Sequence, residues 1–381
     1  MRKLREIERL RGVAIVLAIF NHPPLHEFTP RFSGVVGVHL FFVISGFVIT
    51  RSLLKLLPAD GSSAIPALKI FFVRRFFRIV PLAVVSAAVV LTASIFYNSS
   101  KVWSPPAMVL QEIGWIFTLS YNYRLLTLGP DLLFFWSLNV EEHFYLALPL
   151  LMLAVRSPRA RMLSAAAGVL FIAFVVRPLT APRALMTTNA NEIWIYHFTT
   201  HARIDTLMAG VWLALIAHAR LLARPRATRL LGLSGNAIGF SCLAVLLYVF
   251  HYFSIESQSA WSLVLAASLA LVWLASLSRG LILGQPLVAQ AFEYLGSRSY
   301  AVYLLHLPVW KIALEFLARH PDIRTYSHPV ELAAYYLLLT LCTADLAHRL
   351  VEVPMQSLGR RVADRLLPTN NFFQTDLREA A

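Results

Sequence analysis

The sequence predicts an all-α integral membrane protein of about ten transmembrane helices, and three observations carry that prediction. The 381-residue chain is 58% hydrophobic and 14% charged, with a mean hydropathy of +0.64, which leaves too little polar side chain to coat a water-soluble globule. Its apolar runs are about 17–25 residues long, the length at which a helix rising ~1.5 Å per residue crosses a ~30 Å hydrocarbon layer. Its Lys and Arg gather at alternate ends of those runs.

In chain order the runs fall at roughly 9–28, 33–54, 79–97, 131–154, 162–178, 203–221, 231–252, 261–277, 299–317 and 330–349. With the N-terminus in the cytoplasm, the inside segments hold the cations from Arg2 to Arg11, from Arg51 to Arg78, from Arg156 to Arg161 and from Arg220 to Arg229. Arg279, Arg298 and the cations from Arg349 to Arg378 complete the set, most of the 34 Lys and Arg. The excess of cations on that side sets an N-in, C-in topology. It also accounts for much of the net charge of +14 without nucleic acid, for which no aromatic-basic module is present. The stretch 98–130 begins and ends outside, and its apolar, Trp- and Tyr-bearing middle near 107–125 is expected to be an interfacial or re-entrant helix. The first run leads into a second without a small-residue cleavage site, so no signal peptide is expected. Cys242 and Cys342 both lie in apolar runs and suggest neither a disulfide framework nor a metal site. The chain thus divides into a multi-pass membrane domain, 1–356, and a short basic cytoplasmic tail, 357–381.

Ionisable residues inside such runs are expensive and carry the functional information. In "ERLRGVAIVLAIFNH" (8–22), Arg11 and His22 are eleven residues apart. Eleven steps of ~100° return to nearly the same helix face, ~16 Å further along the axis. Arg11 serves either as a cytoplasmic anchor or as part of a site. His22 is either satisfied by a helix carbonyl or chemically active. "FFWSLNVEEHFYLALP" (134–149) places Glu141, Glu142 and His143 in an otherwise apolar run, with Ser137, Glu141 and Tyr145 on one face. These are interhelical hydrogen-bonding groups or, with one carboxylate orienting the His22 imidazole, an acid–base pair. "KIFFVRRFFRIVP" (69–81) brings Arg74, Arg75 and Arg78 to the cytoplasmic edge of the third run. There they act as stop signals or, as guanidinium forks, hold phosphate. Arg203 and Asp205, at the outer mouth of the sixth run, either contact a sugar or pair with each other. Tyr300 and His306 fit packing or supporting hydrogen bonds better than chemistry. Asp345, His348 and Glu352 read as residues of the inner surface.

Taken together, three of these stretches resemble the membrane-bound acyltransferase-3 family, which O-acylates sugars and other acceptors. The resemblance is carried by the Arg11–His22 spacing, "GVHLFFVISGFVIT" (37–50), "RRFFRIVP" (74–81) and "WSLNVEEHFY" (136–145). "HARIDTLMAG" (201–210), "LGSRSYAVYLLHLPV" (295–309) and "RLVEVPMQ" (349–356) follow in the family's order. The chain departs from the pattern at His39, where an acidic residue is usual, and at His143, where glutamine is common; Asn21 also precedes the key histidine.

The resemblance implies an acyl-CoA-dependent O-acyltransferase of the bacterial inner membrane. An acyl group, acetyl being the commonest, passes from cytoplasmic acyl-CoA to a hydroxyl of an extracytoplasmic or lipid-linked carbohydrate, with no metal. Arg11, Arg74, Arg75 and Arg78 are expected to hold the donor, and His22, oriented by Glu141 or Glu142, to act as general base. Ser45, Tyr145, Arg203 and Asp205 are expected to line the substrate site. With no hydrolase-like domain after the tenth run, the stand-alone form is expected, with membrane lipid as its other partner and no nucleic acid. Direct transfer is favoured over an acyl-enzyme, Ser45 being the one hydroxyl to test. A secondary transporter of a small polar or anionic solute is the alternative, although the internal repeat it predicts is not visible.

Overall fold

A computed structural model describes residues 4–20, 22–25, 34–58, 64–124, 131–179, 198–219, 231–252, 258–277, 282–326 and 328–366. Among these residues every regular element is helical. The elements are α1 (Arg5–Ile19), α2 (Gly34–Leu56), α3 (Ile65–Phe96), α4 (Pro106–Phe117), α5 (Tyr121–Arg124), α6 (Phe135–Ala154) and α7 (Pro158–Phe171). They continue with α8 (Thr200–His218), α9 (Leu231–Tyr252), α10 (Gln258–Ser276), α11 (Pro286–Ser297), α12 (Ser299–Arg319), α13 (Pro321–Tyr326), α14 (Pro329–Ala347) and α15 (Val353–Arg365). π-helical turns at Ile172–Val176 and His348–Glu352 extend α7 and α14.

Among the described residues, five stretches are long and apolar enough to cross a membrane, at Val35–Leu56, Ile65–Phe96, Pro158–Leu179, Ser299–Arg319 and Pro329–Arg365. Asn236–Val249 and Ala260–Ser276 form shorter apolar helices. The exposure of Leu146, Leu150, Leu163, Leu170, Phe174 and Leu338 on separate helices is what a lipid-facing surface requires and what water would penalise. The protein is therefore an all-helical integral membrane protein.

Several boundaries differ from those expected. α1 stops at Ile19, and α3 starts at Ile65, well before 79, so that Arg74, Arg75 and Arg78 lie within a 32-residue helix that also contains Pro81. Proline in the first two positions of α3, α4, α7, α11, α14 and α15 marks their starts, where its missing N–H removes no helical bond. The described part of the 98–130 stretch, 98–124, holds two helices too short to span, α4 and α5. Buried Glu112 ties them to the start of α6, accepting from the Tyr121 hydroxyl (3.0 Å) and the Leu132 amide (2.9 Å). The first part of the expected tail, from 357, is helical; it belongs to α15, where Gly359 lies against the Phe77 ring of α3.

Helix α11, absent from the sequence reading, clamps α1. Gly12 faces the Phe292 carbonyl and Gly296 the Glu8 carbonyl so closely that a Cβ at either position would overlap backbone. Arg9 pairs with Glu293 (2.9 Å), and the Glu6 carboxylate accepts from the Ile282 amide (3.0 Å). A second close crossing joins α2 and α8, where Gly46 meets the Leu207 carbonyl and Gly210 the Val43 carbonyl. Three apolar clusters fill the remaining interior: α1, α2, α9 and α10 around Leu10 and Leu271; α1, α3, α12 and α14 around Ile15 and Tyr336; and α2, α3, α6 and α8 around Phe42 and Phe144.

Candidate active site

Where these clusters meet, α1, α2, α3, α6 and α12 line a partly open cavity of about 110 Å³. Its wall is largely apolar, with Phe41, Phe42, Val48, Ile79 and Leu138 among its residues, and its polar groups converge from different helices. α1 contributes Arg11, α2 Ser45, and α3 Arg75 and Arg78, one turn apart. α6 contributes Ser137, Glu141 and Tyr145, the face expected from their spacing of four, and α12 contributes Ser299, Tyr300 and Tyr303.

Glu141 is the hub of this site. One oxygen accepts from the Ser45 hydroxyl (2.8 Å) and the other from the Tyr145 hydroxyl (2.7 Å), which fixes the carboxylate across the α2–α6 interface. The Arg75 guanidinium lies 5.8 Å from the Tyr145 ring centre and 5.7 Å from that of Phe71. Arg11 pairs with Glu8 at 3.5 Å. Arg78 feels the positive charge of both Arg11 and Arg75. Three guanidinium groups held around one apolar cavity repel each other, and an anion between them relieves that repulsion. On the α12 side, the Tyr300 hydroxyl donates to the Ile79 carbonyl (2.7 Å), and the hydroxyls of Tyr303 and Ser137 share a 2.7 Å bond.

The structure divides the expected site residues into three groups. Arg11, Ser45, Arg75, Arg78, Glu141 and Tyr145 come together in the cavity. Arg74 points elsewhere, pairing with exposed Asp364 of α15 at 3.4 Å, because neighbouring residues on a helix lie ~100° apart. Glu142 is half-buried within the fields of Glu141 and Arg75 but does not line the cavity.

His22 is the second group. The bonds of both Glu141 oxygens go to Ser45 and Tyr145, while the His22 ring packs against His306 of α12, centroids 5.0 Å apart. A described ring neighbour of His22 is thus a second histidine, which the sequence reading assigned to packing or supporting hydrogen bonds.

Arg203 and Asp205 form the third group. They are buried, at 1% and 0% exposure, and do not sit at an open mouth. Nor is their ion pair mutual: Asp205 takes Arg177 at 2.5 Å and the Trp261 indole N–H at 3.4 Å, while Arg203 donates to the His39 imidazole at 2.6 Å. Trp261 lies close to both guanidinium groups, 3.5 Å from Arg177 and 4.2 Å from Arg203. His39, which replaces the acid usual in the resembling family, accepts here through a ring nitrogen. Arg177 was missed by sequence reasoning, although a lone arginine in the apolar run 162–178 was the signal: at that depth it needs a carboxylate. Tyr303 was missed because nothing local distinguishes it from a packing tyrosine.

The acyltransferase-3 family model, described as "Acyltransferase domain", matches residues 4–348, and the chain belongs to that family. It is similar to "Putative O-acetyltransferase SACOL0978" of Staphylococcus aureus strain COL, 26% identical over 94% of this chain and 58% of that protein. It is also similar to "O-acetyltransferase OatA" of S. aureus strain NCTC 8325, 25% identical over the same shares. The chain therefore spans a little over half the length of these curated relatives. No solved structure matches. Membership of this family favours group transfer over solute transport.

Proposed function

We propose that the protein is an O-acetyltransferase of the bacterial inner membrane, with ten spans and both ends of the membrane domain in the cytoplasm. It moves acetyl from cytoplasmic acetyl-CoA to a hydroxyl of an extracytoplasmic or lipid-linked carbohydrate. The observation that carries this reading is the convergence of Arg11, Arg75 and Arg78 on an apolar cavity that runs toward α12. Guanidinium forks suit the phosphates of the donor, and the apolar wall suits its pantetheine arm. Tyr303 lines the cavity and its carbonyl accepts from His306, which in turn packs on His22, so the donor path leads toward the imidazoles. There His22 takes the proton of the acceptor hydroxyl as its oxygen attacks the thioester.

The 2.8 Å bond from Ser45 to Glu141 favours a second reading. In it Glu141 activates the Ser45 hydroxyl, which carries the acetyl group transiently.

The test is transfer from radiolabelled acetyl-CoA into a crude envelope glycolipid extract by the purified chain in nanodiscs. Label in the glycolipid fraction, lost in His22→Ala and given a raised KM for acetyl-CoA by Arg75→Gln and Arg78→Gln, is the expected result. Undiminished transfer by His22→Ala overturns the base assignment. Acetyl found on Ser45 by mass spectrometry, with transfer abolished in Ser45→Ala, selects the covalent route.

A further inference from the structure

His306 is the most enclosed titratable group near the site that the proposed mechanism leaves unused. It is 1% exposed, on α12, one turn beyond the cavity-lining Tyr303. Phe134 and Tyr303 flank its ring, with centroids 6.4 and 5.8 Å away. Its Nδ1 lies 2.6 Å from the Tyr303 carbonyl oxygen. A carbonyl only accepts, so Nδ1 carries a proton, and the neutral ring then has its lone pair on Nε2. That Nε2 is buried and has no hydrogen-bond partner. Buried acceptors are seldom left so, and the ones that are call for an explanation.

The ring beside it is His22, centroid to centroid 5.0 Å at a 54° tilt. Two imidazoles joined edge to edge by an N–H···N bond of ~2.9 Å have centroids about 5 Å apart, so this separation suits such a bond, which a rotation of the His22 ring about its Cβ–Cγ bond would form while His306 keeps its bond to Tyr303. Hydrogen bonds of this kind commonly tighten only when substrate is present.

We propose that His306 is the positioning residue for His22. Its Nε2 accepts the N–H of the His22 ring, which fixes the tautomer and leaves the other His22 nitrogen as the base. The inference rests on the transferase reading above. In the transfer step the acceptor oxygen forms the new C–O ester bond and the thioester C–S bond breaks. The hydroxyl proton passes to the outer nitrogen of His22 and then to the departing CoA thiolate, while His306 holds the opposite N–H throughout. A neutral imidazole thus takes the orienting role that a carboxylate fills in hydrolytic triads.

The experiment compares His306→Leu, His306→Gln and His306→Asn with wild type and His22→Ala, in nanodiscs, by release of CoA thiol from acetyl-CoA in the presence of the glycolipid extract. Glutamine places an amide oxygen near the position of Nε2, whereas asparagine reaches only to that of Nδ1. The leucine variant is expected to lose kcat on the order of 100-fold with KM for acetyl-CoA within about twofold of wild type, and glutamine is expected to restore most of the loss. Wild-type kcat in His306→Leu overturns the proposal. Should the leucine variant not fold, the amides decide: glutamine well above asparagine supports the proposal, and equal activity overturns it. If His22→Ala itself transfers at the wild-type rate, the transferase mechanism fails and this inference with it. A dead His22→Ala beside an unaffected His306→Leu removes this inference alone.

Discussion

Replacing Asp205 with alanine is expected to destabilise the protein more than any single change at the cavity. Asp205 is fully buried and is the described carboxylate against Arg177, 2.5 Å away, with Arg177 and Arg203 both close to the Trp261 ring. Opposite unit charges ~4 Å apart attract by about 4 kcal/mol at an effective dielectric constant of ~20. Removing one member of a buried pair costs about 3–5 kcal/mol, because the other is left charged and dry. For a chain of this size, with an unfolding entropy of ~2.1 cal/mol/K per residue, that is a fall in Tm of about 4–6 °C. The double variant Asp205→Leu with Arg177→Met removes both charges and is expected to recover most of the loss, a coupling that a double-mutant cycle measures directly. The assay is the fraction of monodisperse protein surviving a heat step in detergent. An Asp205→Ala protein with a Tm within about 2 °C of wild type would refute the reasoning, as would a double variant no more stable than the single.

Burial pushes the Glu112 carboxyl up to about 7 from its ordinary value near 4.5. The folded state therefore holds a proton that the unfolded state releases. The contribution is full below about pH 4.5 and is lost as pH rises through 7, a decline on the order of 3 kcal/mol that Glu112→Gln should flatten in melting curves from pH 5 to 8. Gly296→Val should separate α11 from α1 and lower the melting temperature, whereas Gly114→Ala, where no atom lies within 4 Å of the added carbon, should be neutral or add about 0.5–1 kcal/mol. Arg74→Gln should leave KM for acetyl-CoA unchanged while Arg75→Gln raises it. Its partner Asp364 is largely exposed, so stability should shift by less than about 1 kcal/mol.

The helical membrane class and the cavity face of α6 were legible because they depend on local periodicity: spacing alone put Ser137, Glu141 and Tyr145 together. Arg75 and Arg78 were legible as a charge cluster, but which of three adjacent arginines faces inward depends on how α3 and α15 pack. The partners of buried groups were not legible. Arg177 finds Asp205 and His22 finds His306 across hundreds of residues or tens of them, and no local pattern encodes such pairings. Helix α11 escaped notice because a twelve-residue amphipathic helix resembles a loop when only membrane-length runs are sought.

The cavity draws all its lining from residues 11–145 and 299–303. The ribosome must therefore deliver more than a hundred and fifty further residues after Tyr145 before Tyr303 can close the last wall. A nascent chain halted anywhere in that interval has its arginines and its carboxylate made, yet presents them on an open groove. Closure of the cavity arrives late in synthesis, with α12, and a truncation ahead of that helix yields a protein whose arginines face a groove that lacks a wall.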